Sequence, residues 1–188
     1  MDKEKIRQSA ILLLEGLGVD LKSDHFKGTP ERWTKMWVEE LGSGLELDPK
    51  EVLNVEFIEK KYQEMIFVDG IDFMSVCPHH LIPWVGQVVI GYIPKGKITG
   101  LSKLARLVDV VSKKPQVQEV LTVEIADILF NTLQPMGCGV LVKAKHLCAC
   151  GRGVKKVNME MTTTALRGCF YEKEHVKQEF MDNYRGGR

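Results

Sequence analysis

The sequence of 188 residues contains no apolar run close to the roughly 20 residues that a membrane-spanning helix requires. Its longest early apolar run, residues 10–14, is interrupted by Glu15 and is not followed by a signal-peptide cleavage pattern. The formal net charge is only +1, so the chain has no global basic field that would attract nucleic acid. These absences predict a soluble, cytoplasmic protein that binds neither membranes nor nucleic acid.

Cysteine and histidine are scarce, with five of each, but they are unevenly distributed. Residues 75–80 read SVCPHH and residues 146–150 read HLCAC, so these two short clusters hold three of the five cysteines and three of the five histidines. In a chain long enough to fold without disulfides, an odd number of cysteines favours buried, metal-bound or reactive thiols. Both clusters are therefore candidate metal sites.

The length suits one substantial core with a small appendage, and the sequence has no internal repeat. Residues 3–17 have the apolar spacing of an amphipathic helix. A second helix is predicted to begin with TPER, in which Thr29 can cap the helix and the proline suits its first turn, and to end near residues 42–44. We therefore expect an N-terminal helical appendage, residues 1–50, followed by a larger domain, residues 51–188.

The larger domain combines helical patterns with segments typical of strands. Helices are predicted after Gly100 and after Pro115, because apolar residues, including Val120, follow at helical spacing. Segments rich in β-branched and aromatic residues predict strands at Val52–Ile58, Glu64–Val68, Val85–Ile93, Val140–His146 and Val154–Leu166. This order predicts an α+β fold in which helices cover an antiparallel sheet.

The first cluster has the spacing of a metal half-site. Proline favours an extended conformation in the residue before it and suits the first position of a turn, so Cys77 should end an extended segment where Pro78 starts a turn. Cys77 and His80 would then share a face, with His79 pointing elsewhere. Cys-x-x-His is a common zinc half-site, although a small buried cysteine beside surface histidines gives the same pattern without a metal.

The second cluster lies at the end of a predicted strand. Alternate residues of a strand share a face, so the apolar face that includes Val142 and Ala144 should continue to His146 and Cys148. Catalytic zinc sites typically have three protein ligands and a position for water, whereas structural sites usually have four protein ligands. The candidate ligands are Cys77, His80 and Cys148, with His79, His146 and Cys150 as further candidates.

Six segments of the sequence resemble the GTP cyclohydrolase I family in order and spacing. They are TPERWTKMW (29–37), SVCPHH (75–80), GYIPKGKITGLSKLARLV (91–108), KPQVQEVL (114–121), HLCACGRGV (146–154) and TTTALRG (162–168). The resemblance implies the tunnelling fold (T-fold), an antiparallel sheet with two helices on one face, and a catalytic domain that uses Zn2+. Members open the imidazole ring of GTP by hydrolysis, release formate and form 7,8-dihydroneopterin triphosphate, the first step of pteridine and folate biosynthesis. Bacterial members are homo-oligomers, decamers of two pentameric rings with active sites between subunits.

The resemblance also implies a role for individual residues, carried over position by position. Zinc would be held by Cys77, His80 and Cys148, and protons would be transferred by His79 and His146. The substrate would be bound by Glu119 at the guanine edge with Gln118 beside it, by Ser102, Lys103, Arg106 and Arg152 around the triphosphate, and by Arg32 and Lys35 near its outer end.

Physical arguments for the substrate residues leave alternatives open. Ser102 is expected to cap a helix that starts at Lys103, with Arg106 one turn on, and a helix N-terminus with two cations favours anions. The same residues would also suit a solvated basic face. Glu119 can accept two hydrogen bonds from guanine, or can simply complement the dipole of the helix whose first turn it occupies.

Departures from the family pattern leave the substrate open as well. Pro78 stands where the family more often has glutamate, and Met159 and Met161 lie where it usually has small hydroxyl residues. One alternative is therefore a related purine-converting enzyme with an altered substrate. Another is a non-catalytic, zinc-stabilised assembly protein with Cys150 as a fourth ligand. Zinc deaminases fit poorly, because the sequence lacks both His-x-Glu and Pro-Cys-x-x-Cys.

Overall fold

A computed structural model describes residues 1–54 and 56–186 of the chain. Its helices are α1 (Lys3–Gly16), α2 (Thr29–Lys35), α3 (Leu101–Ser112), α4 (Gln118–Leu133), α5 (Leu147–Cys150), α6 (Cys169–Glu172) and α7 (Glu174–Gly186). Its strands are β1 (Glu56–Ile58), β2 (Ile66–Val76), β3 (Pro83–Ile93), β4 (Lys97–Thr99), β5 (Gly137–His146) and β6 (Met161–Gly168). Shorter turns are π-helical at Met36–Leu41 and 3-10 helical at Ser43–Glu46 and Pro49–Leu53. Within the described ranges, no helix has both the length and the apolar character needed to cross a bilayer.

Four strands form the main sheet in the order β2-β3-β5-β6, and every neighbouring pair is antiparallel. Alternate residues point to opposite faces, and one face carries the fully buried Trp84, Val88 and Ile90 of β3 beside Val140 and Val142 of β5. Helices α3 and α4 cover this face with their apolar residues. The predicted α+β fold, an antiparallel sheet with two helices on one face, is confirmed.

The opposite face of the sheet is covered by α6 and α7, which the sequence patterns did not predict. Phe170 and Phe180 are fully buried there, and their ring centroids lie 5.6 Å apart. The sheet has glycine beneath both rings, since a Cβ on Gly91 would lie 2.7 Å from Phe180 and one on Gly139 would lie 2.8 Å from Phe170. The inward side of α7 carries the buried Val176 and Phe180, with Met181 and Tyr184 packed against the same cluster, a spacing typical of an amphipathic helix.

The N-terminal segment is helical, as predicted, and contacts the end of α3. Helix α1 matches the first predicted helix to within one residue. Helix α2 starts at Thr29 with Gly28 at its N-cap, so the prediction that Thr29 caps this helix is wrong. The backbone N–H of Gly44 donates to the Lys113 carbonyl at 2.9 Å, which ties this segment to the larger part of the chain. The domain boundary at residue 50 stays a prediction.

Two predicted strands have the wrong bounds in the first half of the sheet region. The predicted strand Val52–Ile58 begins inside a 3-10 turn, and only its last three residues form β1; Val55 lies outside the described residues. Strand β2 has 11 residues, more than predicted, because a bulge between Val68 and Ile71 lets the pairing with β3 continue to Val76.

Three further expectations are corrected. Strand β6 begins at Met161 instead of Val154, because residues 151–160 form an exposed loop. Helix α3 begins at Leu101 with Gly100 at its N-cap, so Ser102 is not its cap. The side chain of Val120 is 50% exposed and lies outside the buried stripe of α4.

Replacing Phe180 with alanine should lower the free energy of unfolding by about 3–5 kcal/mol, because it leaves a cavity between α7 and the sheet. Chemical denaturation at a fixed protein concentration measures this change. Tyr171→Ala is the matched control: Tyr171 lies in the same helical pair but is 79% exposed, so its replacement should change the stability by less than about 0.5 kcal/mol. Equal effects of both substitutions would contradict the packing described for this face.

Candidate metal centre

Cys77 and His80 lie in the hairpin loop that joins β2 to β3. The backbone N–H of Cys77 donates to the Ile82 carbonyl at 3.0 Å, and the N–H of Leu81 donates to the Cys77 carbonyl at 2.9 Å. Pro78, which has no N–H to satisfy, takes the first position of the turn that these bonds close. The loop therefore begins at the proline, as predicted.

The turn places two histidine rings close to the Cys77 thiol. Cys77 is buried, whereas His79 and His80 are exposed. The Cys77 Sγ lies 3.6 Å from the His80 Nδ1 and 3.9 Å from the His79 Nδ1. The prediction that His79 points away from Cys77 is therefore wrong. Of these two rings, however, only that of His80 lies close enough to both Cys77 and Cys148 to share a metal ion with them.

Cys148 reaches the same point from the end of β5. The strand ends at His146, as predicted, and the chain continues as the helical turn α5. The expectation that Cys148 continues the alternating face of the strand is therefore wrong. The turn nevertheless brings the sulfur of Cys148 to the loop. The ligand atoms of Cys77, His80 and Cys148 all lie within 4.8 Å of one another, and we call these three residues the ligand group.

The ligand group has the chemistry of a transition-metal site. Two sulfurs and one imidazole nitrogen form a set that suits zinc. Burial, followed by a hydrogen bond with Cys77, raises the pKa of the Cys148 thiol, so a metal bound there would have to displace its proton. Cys150 lies outside the ligand group, with its Sγ 3.5 Å from the Lys156 carbonyl oxygen.

His146 lies beside the ligand group, with its ring held on two sides. The ring stacks on the buried Trp84, with centroids 4.8 Å apart and planes inclined by only 7°. Its Nε2 lies 2.9 Å from the Gln118 Oε1. Burial lowers the pKa of His146, and the charge of Glu119 opposes this effect, so the ring is neutral at neutral pH and can accept a proton.

The structure separates Gln118 from its neighbour Glu119. Glu119 is exposed in the first turn of α4, and its charge acts on His146. Gln118 is completely buried, and its side-chain nitrogen donates to the carbonyl oxygens of Val142 and Met161, each at 3.0 Å. The two adjacent residues therefore face different surroundings, one solvent and the other the protein interior.

The cationic residues predicted to bind the triphosphate fall in two places. Arg152 lies beside the ligand group and donates to the His80 Nε2. Lys103 and Arg106, together with Ser102, lie on helix α3. This helix starts two residues after Thr99, whose backbone N–H donates to the Tyr92 hydroxyl at 3.3 Å. Tyr92 is eight residues along β3 from Trp84, roughly 26 Å at the usual rise per residue. The N-terminus of α3, with Ser102 and Lys103, is thus near the opposite end of β3 from the ligand group. The helix then runs back along the sheet, since the Ser75 hydroxyl donates to the carbonyl of Lys114, just after its end, at 3.0 Å.

Arg32 and Lys35 lie on α2, and both are exposed. The Nζ of Lys35 lies 3.8 Å from a carboxylate oxygen of Glu39, one turn later. Among the described residues, no hydrogen bond or ion pair joins either side chain to the ligand group. Within one chain, the structure therefore brings together the predicted metal and proton-transfer residues, Glu119 and Arg152, but not the remaining cations.

Comparison with known proteins identifies the family. The sequence profile described as GTP cyclohydrolase I matches residues 6–185. The chain belongs to the GTP cyclohydrolase I family. It is 48% identical over 182 residues to GTP cyclohydrolase 1 of Hydrogenobaculum sp. (strain Y04AAS1), with 96% of each chain covered. It is 44% identical over 182 residues to GTP cyclohydrolase 1 of Caldanaerobacter subterraneus subsp. tengcongensis, again with 96% of each covered. The protein of that name from Halalkalibacterium halodurans is 43% identical over 187 residues, covering 99% of this chain and 98% of the other.

Sequence reasoning, including the resemblance to the GTP cyclohydrolase I family, missed the residues that support the site from behind. Trp84 stacks on His146, and Thr163 lies 3.1 Å from the Gln118 Nε2 and 2.6 Å from the Thr122 Oγ1. The strand pairs Trp84↔His146 and Val142↔Thr163 bring these residues together. Tryptophan and threonine are common in strands, and only the strand register shows that these two lie beside the site. The local sequence therefore gave no indication of a functional role for them.

Cys148→Ser should abolish stoichiometric zinc binding, because it removes one of the two sulfur ligands that lie within 4.8 Å of each other and of His80. Metal analysis after zinc loading and dialysis measures the loss. Cys150→Ser is the matched control, two residues away in the same turn, and should retain one zinc per chain. If the control loses its zinc as well, Cys150 is a fourth ligand and the site is a closed structural one.

Proposed function

We propose that this chain is a zinc-dependent GTP cyclohydrolase that opens the imidazole ring of GTP by hydrolysis, releases formate and forms 7,8-dihydroneopterin triphosphate. The observation that carries the proposal is the ligand group, which lies beside the neutral His146 in a chain whose GTP cyclohydrolase 1 relatives align over nearly its whole length. This product would place the chain at the first step of pteridine and folate biosynthesis.

The ligand group supports Zn2+ as the cofactor. Cys77, His80 and Cys148 would hold the ion, and three protein ligands leave a fourth position for water, as in catalytic zinc sites. When bound, zinc would lower the pKa of its water to about 7 and so supply hydroxide at neutral pH. The burial of Cys77 keeps one side of the site dry, and the exposure of His80 leaves the other side open to a substrate.

The two remaining histidines are proposed to move protons. His79 lies on the exposed side of the turn, where it can protonate the purine ring as carbon 8 is attacked. His146 would assist the later rearrangement of the sugar and closure of the new ring. Histidine suits both steps because an imidazole ring offers one nitrogen that can donate a proton and one that can accept a proton.

Glu119 is proposed to recognise the guanine base. Its carboxylate is exposed at the start of α4 and acts electrostatically on His146, which supports a role in contact with the substrate. A carboxylate accepts hydrogen bonds and offers no donor, so it complements the ring N–H and the exocyclic amino group of guanine. Adenine presents a different pattern of donors and acceptors on that edge.

A second copy of the chain is proposed to complete the triphosphate site. Ser102 and Lys103 lie at the N-terminus of α3, which favours anions, and Arg106 follows one turn later. This N-terminus is near Tyr92, roughly 26 Å along β3 from Trp84. Arg152 is already beside the ligand group. A homo-oligomer, proposed to be a decamer of two pentameric rings, would set α3 of one subunit against the ligand group of the next, with Arg32 and Lys35 at the outer end of the site.

The direct test incubates purified, zinc-loaded protein with GTP. Formate and a pterin that becomes fluorescent on oxidation should both appear, and a chelator should abolish them. GTP that remains intact with the metal fully loaded would contradict the proposed reaction. Parallel reactions with ATP and ITP test the related purine-converting enzyme, the alternative suggested by Pro78, Met159 and Met161, since preferred turnover of another nucleotide would favour it.

Subunit complementation tests whether the site is shared. Arg106→Ala and Cys148→Ser should each inactivate the enzyme, but a mixture that exchanges subunits should regain about a quarter of the wild-type activity, because random assembly gives that fraction of intact sites. The matched control mixes Cys148→Ser with His80→Ala, two variants of the same ligand group, and should stay inactive. A first mixture without any recovery would contradict a site formed between subunits.

A further inference from the structure

The amide of Gln118 is held in one orientation by the protein interior. Gln118 is fully buried, and its Nε2 donates to the carbonyl oxygens of Val142 and Met161, each at 3.0 Å. Carbonyl oxygens only accept hydrogen bonds, so the NH2 group of the amide must face them. Rotating the amide by 180° would place its oxygen against two other oxygens, none of which can donate a hydrogen bond. The orientation is therefore fixed by the backbone of β5 and β6.

This orientation decides which nitrogen of His146 carries the proton. With the amide NH2 directed at the backbone, the atom that faces the His146 Nε2 at 2.9 Å is the Gln118 Oε1. An amide oxygen only accepts, so the Nε2 must be the donor. A neutral imidazole has one N–H, which leaves Nδ1 as the nitrogen with the free lone pair.

The orientation of the His146 ring is restricted by its neighbours. It lies against Trp84 with centroids 4.8 Å apart and planes 7° from parallel, and these two residues are paired in the register of β3 and β5. Behind Gln118, the Thr122 hydroxyl donates to the Gln118 carbonyl at 2.7 Å and lies 2.6 Å from the Thr163 hydroxyl. The support for His146 is thus continuous from α4 to β6.

We propose that Gln118 is a positioning residue that acts through His146, fixing the Nε2–H tautomer so that Nδ1 is the nitrogen that exchanges protons with the substrate. It would not contact guanine itself, which differs from the substrate-binding role implied by the family resemblance. The inference rests on the proposed proton-transfer role of His146. In this arrangement Glu119 recognises the guanine base, and Gln118 fixes the tautomer of the His146 ring.

Nitrogen NMR of the zinc-loaded enzyme with 15N-labelled histidine rings tests the tautomer directly. At about pH 8, where the ring is neutral, His146 should show a protonated Nε2 and an unprotonated Nδ1, with its signals assigned by their absence from His146→Asn. A protonated Nδ1 in the wild-type enzyme overturns the proposal. This measurement needs no substitution at Gln118, so it decides the question even if a Gln118 variant fails to fold.

Gln118→Met tests the cause, because methionine fills a similar volume without an amide oxygen. The Nε2 proton of His146 should then exchange with water at least about tenfold faster, as expected for the loss of one hydrogen bond. Gln116→Met is the matched control: Gln116 is also a buried glutamine, donating to the Val111 carbonyl at 2.6 Å, and its replacement should leave the exchange rate of His146 unchanged. Equal exchange in wild type and Gln118→Met overturns the proposal.

Steady-state kinetics separate positioning from substrate binding. Gln118→Met should lower kcat by about 10- to 100-fold, the range for impaired general acid–base catalysis, while KM for GTP changes by less than about twofold. A raised KM with an unchanged kcat would instead identify Gln118 as a guanine contact and overturn the positioning role. If the wild-type enzyme failed to convert GTP, the proposed function would be wrong, yet the NMR comparison would still decide how Gln118 sets the tautomer.

Discussion

The antiparallel pairing of β3 with β2 on one side and β5 on the other is the constraint on which the site depends. The pairs Val76↔Pro83 and Trp84↔His146 place the end of β2 and the end of β5 on either side of the start of β3. Cys77 directly follows β2, and Cys148 lies in the helical turn that follows β5, so their sulfurs approach within 4.8 Å although a long stretch of chain separates them. A slip of one residue would turn His146 to the opposite face and remove Trp84 from beneath it.

The same face that forms the core also supports the chemistry. The buried side chains under α3 and α4 continue without a break from Val140 and Val142 to Trp84, and then to the ring of His146. At that border a fully buried polar side chain, Gln118, is tolerated because its amide oxygen and nitrogen all have partners. The low dielectric around the amide strengthens these hydrogen bonds, and it would strongly destabilise the protein if the amide were left without a partner. The site is therefore stiff where the apolar core ends and open where His79 and His80 meet solvent.

Local sequence signals predicted the parts of this structure that local chemistry determines. Cys-x-x-His after an extended segment identified the turn, and apolar spacing identified α1, α3 and α4. The predictions failed where distant residues decide the outcome. Strand β2 is long because β3 pairs with it past a bulge, and Gln118 turns inward because two backbone carbonyls accept hydrogen bonds from its amide. Cys148 was assigned to the ligand group for a mistaken reason, since a helical turn, and not a continuing strand, delivers its sulfur.

The length of the sheet separates the metal ligands from the N-terminus of α3, although the proposed reaction requires both groups to contact one nucleotide. Metal ligands and His146 lie at one end of β3, whereas the cationic N-terminus of α3 lies near Tyr92 at the other end. A hydrogen-bonded sheet does not shorten, because the rise per residue is set by backbone geometry. Local loop motion therefore cannot bring the N-terminus of α3 to the ligand group of its own chain. If both groups act on one GTP molecule, the distance has to be closed by a neighbouring copy, and catalysis then depends on assembly as strictly as it depends on the metal. The rigid sheet thus fixes the distance between its two ends, and the homo-oligomer proposed above would bring the two groups together from different subunits.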